Sequence, residues 1–263
     1  MGATLTMDKA DNPQIIDKTT NNTKEKAMTC TLLIAGGVGA RMGQDIPKQF
    51  LHINDKPVLV YTMERFQNNP QIDGIVIVTL PSWIAFVEAY AKQFGITKLK
   101  SVVAGGETGH DSIHNGIVEI AKHYPHDTAV MIHDGIRPMV DNDIISDNLS
   151  VYREKGNATV VIPCAEVIFQ SEVPTESNKV LDRSKVWRTQ TPQTFRLDKL
   201  LWAHEEVVKR GLSSPVATCH LFEMLGETVY FSKGSEKNIK LTTMDDIDIF
   251  KALLNTEKSS WVR

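Results

Sequence analysis

Cysteine is scarce in this chain: three residues in 263, Cys30, Cys164 and Cys219, scattered and without a CxxC pair. That excludes a disulfide scaffold and argues against a zinc site, and it suits a reducing compartment, so a cytoplasmic protein is expected. Long apolar runs are lacking too, and no stretch approaches the roughly 20 residues that a membrane span requires. Neither sign of charge is in excess. Lys and Arg number 29 against 32 Asp and Glu, for a net charge of -3 and a pI near 6.2. A global field for nucleic acid or an anionic membrane is therefore absent. What remains is an ordinary globular composition, 41% hydrophobic and 23% charged, long enough for one large α/β domain or two small ones.

Residues 1–28 are polar, balanced in charge and nearly free of large apolar side chains. They predict a disordered tail without the apolar core of a signal peptide, and residues 29–263 predict the folded domain. From Thr29 onward short apolar runs alternate with amphipathic segments. Strands are predicted at 30–35, 74–80, 99–104, 128–133, 158–163 and 228–232, rich in Val and Ile and apolar enough to be buried on both faces. Between them Pro57 opens a helix whose Leu59, Met63 and Phe66 share a face. Ser82 is expected to cap a second helix with the stripe Phe86, Val87, Tyr90 and Phe94, ended by Gly95. Further helices fit 111–123, 141–155, 196–210 and 243–255. Alternation of this kind predicts an α/β fold with a mainly parallel sheet flanked by helices, whose ligands bind beyond the carboxyl ends of the strands. Residues 164–188 interrupt the rhythm with two short apolar runs around a turn-rich centre. They read as a hairpin-like arm, the alternative being a long surface loop.

The first strand runs into Ile34-Ala35-Gly36-Gly37-Val38-Gly39-Ala40-Arg41-Met42-Gly43. Glycines let a backbone approach an anion and aim N–H groups at phosphate oxygens. The dinucleotide fingerprint GxGxxG fails, because its third glycine would fall at Met42. The Walker pattern fails because Arg41 stands five positions after Gly36. A loop carrying Arg41 and followed by Pro47-Lys48-Gln49-Phe50 places two cations near a phosphate site, which suits charge stabilisation at a reacting phosphorus. The plain alternative is a βα turn with two solvated cations.

A-G-G-x-G-x-R-M-G followed by P-K-Q-F resembles the cytidylyltransferases that activate sugar-alcohol phosphates, in a methylerythritol phosphate branch and a ribitol phosphate branch. The likeness spans about residues 30–255. It implies a Rossmann-like nucleotide-binding fold, a homodimer joined by protruding arms, CTP and a polyol phosphate as substrates, and Mg²⁺. It implies nucleotide contacts from Ile34, Ala35, Gly36, Gly37 and Gly39, with Arg41 and Lys48 as the catalytic cations. Gly105-Gly106-Glu107-Thr108-Gly109-His110-Asp111-Ser112 resembles the family's second nucleotide loop and brings in Gly106, Glu107 and Ser112. His133-Asp134-Gly135-Ile136-Arg137-Pro138 resembles HDAxRP, making Asp134 the metal ligand and Arg137 an acceptor contact; a lone Asp there also suits a helix cap or turn. Asp182-Arg183 and Thr191-Pro192-Gln193 resemble the arm and a TPQ segment, with Arg183 gripping the acceptor phosphate across the dimer and Thr191 orienting it. Asn238-Ile239-Lys240-Leu241-Thr242 resembles NIKVT and gives Lys240 to the acceptor phosphate, against the reading of an ordinary surface lysine.

Several positions depart from that pattern. Gly109 replaces a usual Arg, and Glu166-Val167 replaces Asp-Thr in the arm, so the hydroxyl is lost. Lys237 stands where an acidic residue is usual, and Val216-Ala217-Thr218-Cys219-His220 stands for TDEAS. Gln190 and Thr218-Cys219 resemble the ribitol branch. The expected reaction is CMP transfer from CTP to D-ribitol 5-phosphate. Its alternatives are methylerythritol phosphate as acceptor and, in another class, an inactive nucleotide-binding partner protein. His52, His114, His123, His126 and His204 form no i, i+4 pair and read as solvated or core-edge. Cys164 and Cys219 read as small buried hydrophobes.

Overall fold

The computed structural model describes residue 1, residues 27–37 and residues 46–258. Residues 2–26 of the predicted tail, the loop residues Gly39 and Arg41, and the chain's last five residues lie outside the described residues.

In chain order the strands are β1 (Thr29–Ala35), β2 (His52–Ile53), β3 (Lys56–Pro57), β4 (Gly74–Thr79), β5 (Leu99–Ala104), β6 (Ala129–Asp134), β7 (Asn157–Pro163), β8 (Phe169–Gln170), β9 (Lys179–Val180), β10 (Trp187–Arg196) and β11 (Phe231–Lys233). The helices are α1 (Val58–Gln67), α2 (Ile84–Gln93), α3 (Gly109–His123), α4 (Asn142–Lys155), α5 (Leu197–Arg210), α6 (Thr218–Met224) and α7 (Met244–Lys258). Seven strands form one sheet in the order β11-β7-β10-β6-β1-β4-β5. The pairs β1–β4, β1–β6, β4–β5 and β7–β11 are parallel, whereas β10 runs antiparallel between β6 and β7. Strand order turns back at β1, with β4 and β5 on one side and β6 on the other. In open α/β sheets that switch point is where a crevice opens.

Both sheet faces are covered, as the apolar strands require. Leu33 and Ala35 of β1 point into a core shared with Leu59, Met63 and Phe66 of α1, Val87 of α2 and Ile145 of α4. Cys30 and Leu32 point the other way, against Ile117 and Ile120 of α3, Leu200 of α5 and Phe222 of α6. A third cluster seats α7 through Phe250 and Leu254 against Val58 and Ile136.

Three local expectations are corrected. Ser82 does not cap α2: residues 81–83 form a 3₁₀ turn, and Trp83 precedes the helix without a side-chain cap. Phe86 is 54% exposed and lies off the buried face of α2, which presents Val87 and Ala91 to the core. The final strand is only Phe231–Lys233, since residues 228–230 meet β7 through Asn157, which accepts from Tyr230 N and donates to Thr228 O. Residues 164–188 do form an arm. Phe169 pairs with Val180 and Gln170 with Lys179 in a small antiparallel hairpin.

Candidate active site

A cavity of about 940 Å³ opens at the carboxyl ends of the parallel strands. Its floor is Ile34-Ala35-Gly36-Gly37 after β1. Its walls come from Gly106 to Ser112 after β5, Asp134 and Arg137 after β6, Thr191 on β10, and Lys48 and Lys240. Every described residue singled out in the sequence lines it except Arg183. That arginine sits on the arm, where its Nη1 donates to Ala165 O.

Lys48 is held by its neighbours in the chain. It opens a 3₁₀ turn, Lys48–Phe50, whose Gln49 is 1% exposed. Gln49 Nε2 donates to Ala35 O (2.7 Å) and Gly37 O (2.9 Å), tying the turn to the glycine loop. Phe50 stacks on Trp83 with ring centroids 3.9 Å apart. Gln49 went unassigned in the sequence, although its place beside Lys48 was the available signal.

The second loop is shaped by α3. Thr108 caps the helix in a capping box with Asp111, leaving the first-turn N–H groups beside the cavity, a favourable place for phosphate or another anion. Ser112 Oγ accepts from Gly106 N (3.1 Å) and donates to Thr108 O (2.9 Å). Glycine at 106 is a requirement of space: a Cβ there would lie 2.3 Å from Asp111 Cβ and 3.0 Å from its carbonyl carbon. Gly106→Ala is expected to push this loop off the helix and raise the KM for nucleotide about tenfold or more, with a modest drop in Tm. Steady-state kinetics with CTP varied would show it.

Asp134 sits at the end of β6, opposite Ile34 of β1. Its Oδ2 accepts from Arg137 Nε (3.0 Å) and its Oδ1 from Lys240 Nζ (3.2 Å). Burial pushes the carboxyl upward, but Lys240 and then Arg137 outweigh it and hold the group below its ordinary value. Arg137 reaches further, donating through Nη1 to Asn238 O at 2.7 Å. Two of its nitrogens thus brace the site.

Thr191 is committed in a similar way. Its Oγ accepts from Asp134 N (3.0 Å). His133 Nε2 faces Arg137 O, a carbonyl that can only accept, so Nε2 carries the ring proton and the neutral ring's Nδ1 accepts from Thr191 Oγ (3.1 Å). Burial drives the His133 pKa down to about 4, which keeps this tautomer neutral. Thr191 therefore braces Asp134, and its proton is unavailable to an acceptor phosphate. Thr191→Val should lower turnover about tenfold, while Thr191→Ser retains most of it. A selective rise in the acceptor KM of the valine variant would instead favour direct contact.

The histidines hold one surprise. His204 of α5 is 3% exposed, neither solvated nor at the core edge. It stacks on His110 at 4.1 Å and lies 5.3 Å from His114, an i, i+4 pair on α3. Neither His204 ring nitrogen has a partner among the described residues. Burial, then His110 and His114, lower its pKa to about 3. Cys164 is buried and Cys219 half-buried, with burial raising the Cys219 thiol, as suits inert positions. No helix among the described residues is long and apolar enough to cross a membrane.

Comparison with known proteins agrees with this geometry. The family described as IspD, 2-C-methyl-D-erythritol 4-phosphate cytidylyltransferase, matches residues 29–256. A ribitol-5-phosphate cytidylyltransferase of Lacticaseibacillus paracasei is 40% identical over 233 residues, 88% of this chain and 100% of that protein. A 2-C-methyl-D-erythritol 4-phosphate cytidylyltransferase of Clostridium acetobutylicum is 37% identical over 228 residues, 86% of this chain and 97% of that protein. The crystal structure of 4-diphosphocytidyl-2C-methyl-D-erythritol synthase from Anaerococcus prevotii shares the fold, with a TM-score of 0.74, 20% identity, and coverage of 87% of this chain and 99% of that one. The chain belongs to the 2-C-methyl-D-erythritol 4-phosphate cytidylyltransferase (IspD) family and is a CTP-dependent nucleotidyltransferase.

Proposed function

We propose that the enzyme transfers CMP from CTP to D-ribitol 5-phosphate, giving CDP-ribitol and pyrophosphate. The observation that carries the reading is one cavity with a glycine floor, lined by Lys48 and by Asp134 with Arg137 and Lys240 upon it, beside a helix N-terminus. The choice of acceptor is supported by the 40% identical ribitol-5-phosphate relative. Gln190 and Thr218-Cys219, which resemble the ribitol branch, add to that support, whereas Glu166 and Val167, the latter 65% exposed, fit neither branch.

On this reading a phosphate oxygen of the acceptor attacks the α-phosphorus of CTP. The bond to the β-phosphate oxygen breaks and pyrophosphate leaves with its electron pair. The acceptor oxygen is already an anion and needs no general base. The difficulty is anion meeting anion, and Lys48, with Arg41 beyond the described residues, would offset it by stabilising charge as it develops. Ile34 to Gly37, Gly106, Glu107 and Ser112 would seat the nucleotide, and Lys240 would draw the acceptor phosphate in.

Among the described residues no cluster of three or more His, Cys, Asp or Glu side chains is placed to hold a metal by itself. Mg²⁺ bound alongside nucleotide phosphates asks for less, one or two carboxylates with phosphate oxygens and water. Asp134 fits that demand and would hold the ion, which supplies neutralisation of phosphate charge when bound.

The arm is read as a dimer element. Val167, Phe169, Val173, Val180 and Trp187 are all exposed on it, and Arg183 lies away from its own chain's cavity, as a contribution to a second copy requires. Light scattering on the purified enzyme tests the dimer.

Pyrophosphate release with CTP and Mg²⁺, run in parallel with ribitol 5-phosphate and 2-C-methyl-D-erythritol 4-phosphate, tests the reaction. Ribitol 5-phosphate alone is expected to respond. A response to methylerythritol phosphate alone would assign the acceptor named for the family. Nucleotide binding without turnover on either would favour a protein that has lost catalysis.

A further inference from the structure

Lys240 lies in a stretch, residues 234–243, that has no helix or strand of its own. Regular backbone bonding therefore does not fix where its amine sits, and side chains from elsewhere must. Three of the bonds come from one buried residue of β10, Gln190, which is 6% exposed. Its Nε2 donates to Ser235 O (2.9 Å), and its Oε1 accepts from Asn238 Nδ2 (3.1 Å) and Ser235 N (3.4 Å). Asn238, fully buried, also donates through Nδ2 to Thr191 O (2.9 Å). The approach is close: a Cβ on Gly234 would lie 2.7 Å from Gln190 Oε1. At the other end Leu241 N donates to Ile136 O (2.9 Å). Between these two anchors Lys240 projects onto Asp134.

We infer that Gln190 is a positioning residue for Lys240: its amide grips residues 235–238 and so sets where the lysine meets the acceptor phosphate. The inference rests on the reading that Lys240 binds that phosphate. Gln190 works through the backbone of another segment, so its removal should blur acceptor binding and spare nucleotide binding. A residue of merely structural importance would lower stability without that selectivity.

The test compares Gln190→Met, which keeps the volume and removes the amide, with Lys240→Ala and the double variant. Acceptor and CTP are varied separately, using ribitol 5-phosphate or whichever of the two acceptors the unmodified enzyme turns over. Gln190→Met is expected to raise the acceptor KM roughly tenfold while the KM for CTP moves less than about twofold. The double variant should be no worse in acceptor KM than Lys240→Ala, because the anchor has nothing left to position. Equal rises in both KM values, or effects of the two substitutions that multiply, would overturn the inference. If Gln190→Met does not fold, Asn238→Ser removes the Asn238 Nδ2 bonds to Gln190 Oε1 and Thr191 O, loosening the same segment from the other side, and is held to the same criteria. An unchanged acceptor KM in Lys240→Ala would instead refute the role given to Lys240, and with it this inference. Absence of turnover with either acceptor refutes the functional reading before any variant is compared.

Discussion

Replacing Lys48 with alanine should lower turnover by roughly 10²-fold or more while leaving the fold intact. The size follows from preorganisation. The lysine's backbone is pinned by the two residues that follow it, Gln49, bonded to Ala35 O and Gly37 O, and Phe50, stacked on Trp83. A cation fixed beside a phosphate before the reaction begins needs no reorganisation as charge develops. Losing a comparably fixed donor from an oxyanion site is typically worth about 3–4 kcal/mol. The bonds of Gln49 and the stacking of Phe50 survive the replacement, so the turn itself should keep its place. Lys48→Arg is expected to recover only part of the rate, because a planar guanidinium spreads its charge and reaches differently from an ammonium. Pyrophosphate release under saturating CTP is the measurement. Near-normal turnover in Lys48→Ala would remove the lysine from the mechanism.

Mild acid should destabilise the protein through His204, in addition to His133, whose folded value of about 4 places it in the same window. The His204 ring has an ordinary pKa of 6.5 in the unfolded chain and about 3 in the folded one. Above the ordinary value it is neutral in both states and contributes nothing to pH dependence. Between the two values the unfolded chain takes up a proton that the folded chain refuses, so stability falls as pH falls, by ~1.4 kcal/mol per pH unit. Below the folded value the effect levels off. At about pH 5 the loss is ~2 kcal/mol, a Tm decrease of about 4–8 °C for a chain of this size. The groups facing the ring are His110 and His114, which oppose its charge, and Asp111, which favours it less strongly. Carboxylates held below their ordinary values, Glu119 and Asp246 among them, titrate under this window. His204→Leu removes the two unpartnered nitrogens along with the titration. It should match or exceed the unmodified protein in stability at neutral pH and show a flatter slope toward pH 5. Urea unfolding across that interval distinguishes the two proteins, and equal slopes would mean that another group carries the acid sensitivity.

The parts of the fold legible from sequence were those whose stability comes from burial alone. Cys30–Ala35 and Gly74–Thr79 lie inside on both faces, and their nearly continuous apolar content says so. β10 was hidden for the opposite reason. Its Thr189-Gln190-Thr191-Pro192-Gln193-Thr194 has no apolar signature, and it is buried because Gln190, Gln193 and Thr194 find partners more than 20 residues away. The same distinction holds at the cavity. A glycine loop with cations close behind it points to Gly36 and Lys48 by type and spacing, and likeness to the family's motifs points to Gly106 and Lys240; the structure lines one cavity with all four. The residues that hold them still, Gln49, Gln190 and Asn238, are ordinary amides whose meaning lies in what they touch. His110 and His204, 94 positions apart, meet only when α3 packs on α5.

The cavity is assembled from pieces scattered from Ile34 to Lys240, and that has a consequence for folding. Lys240 follows Asp134 by 106 residues, and its neighbour Leu241 donates to Ile136 O. A domain folds as a unit, so the wall that carries Lys240 is in place only once Leu241 and Phe250 have packed with Ile136 and Val58. The charge of the cavity and the closure of that apolar cluster are therefore one and the same event.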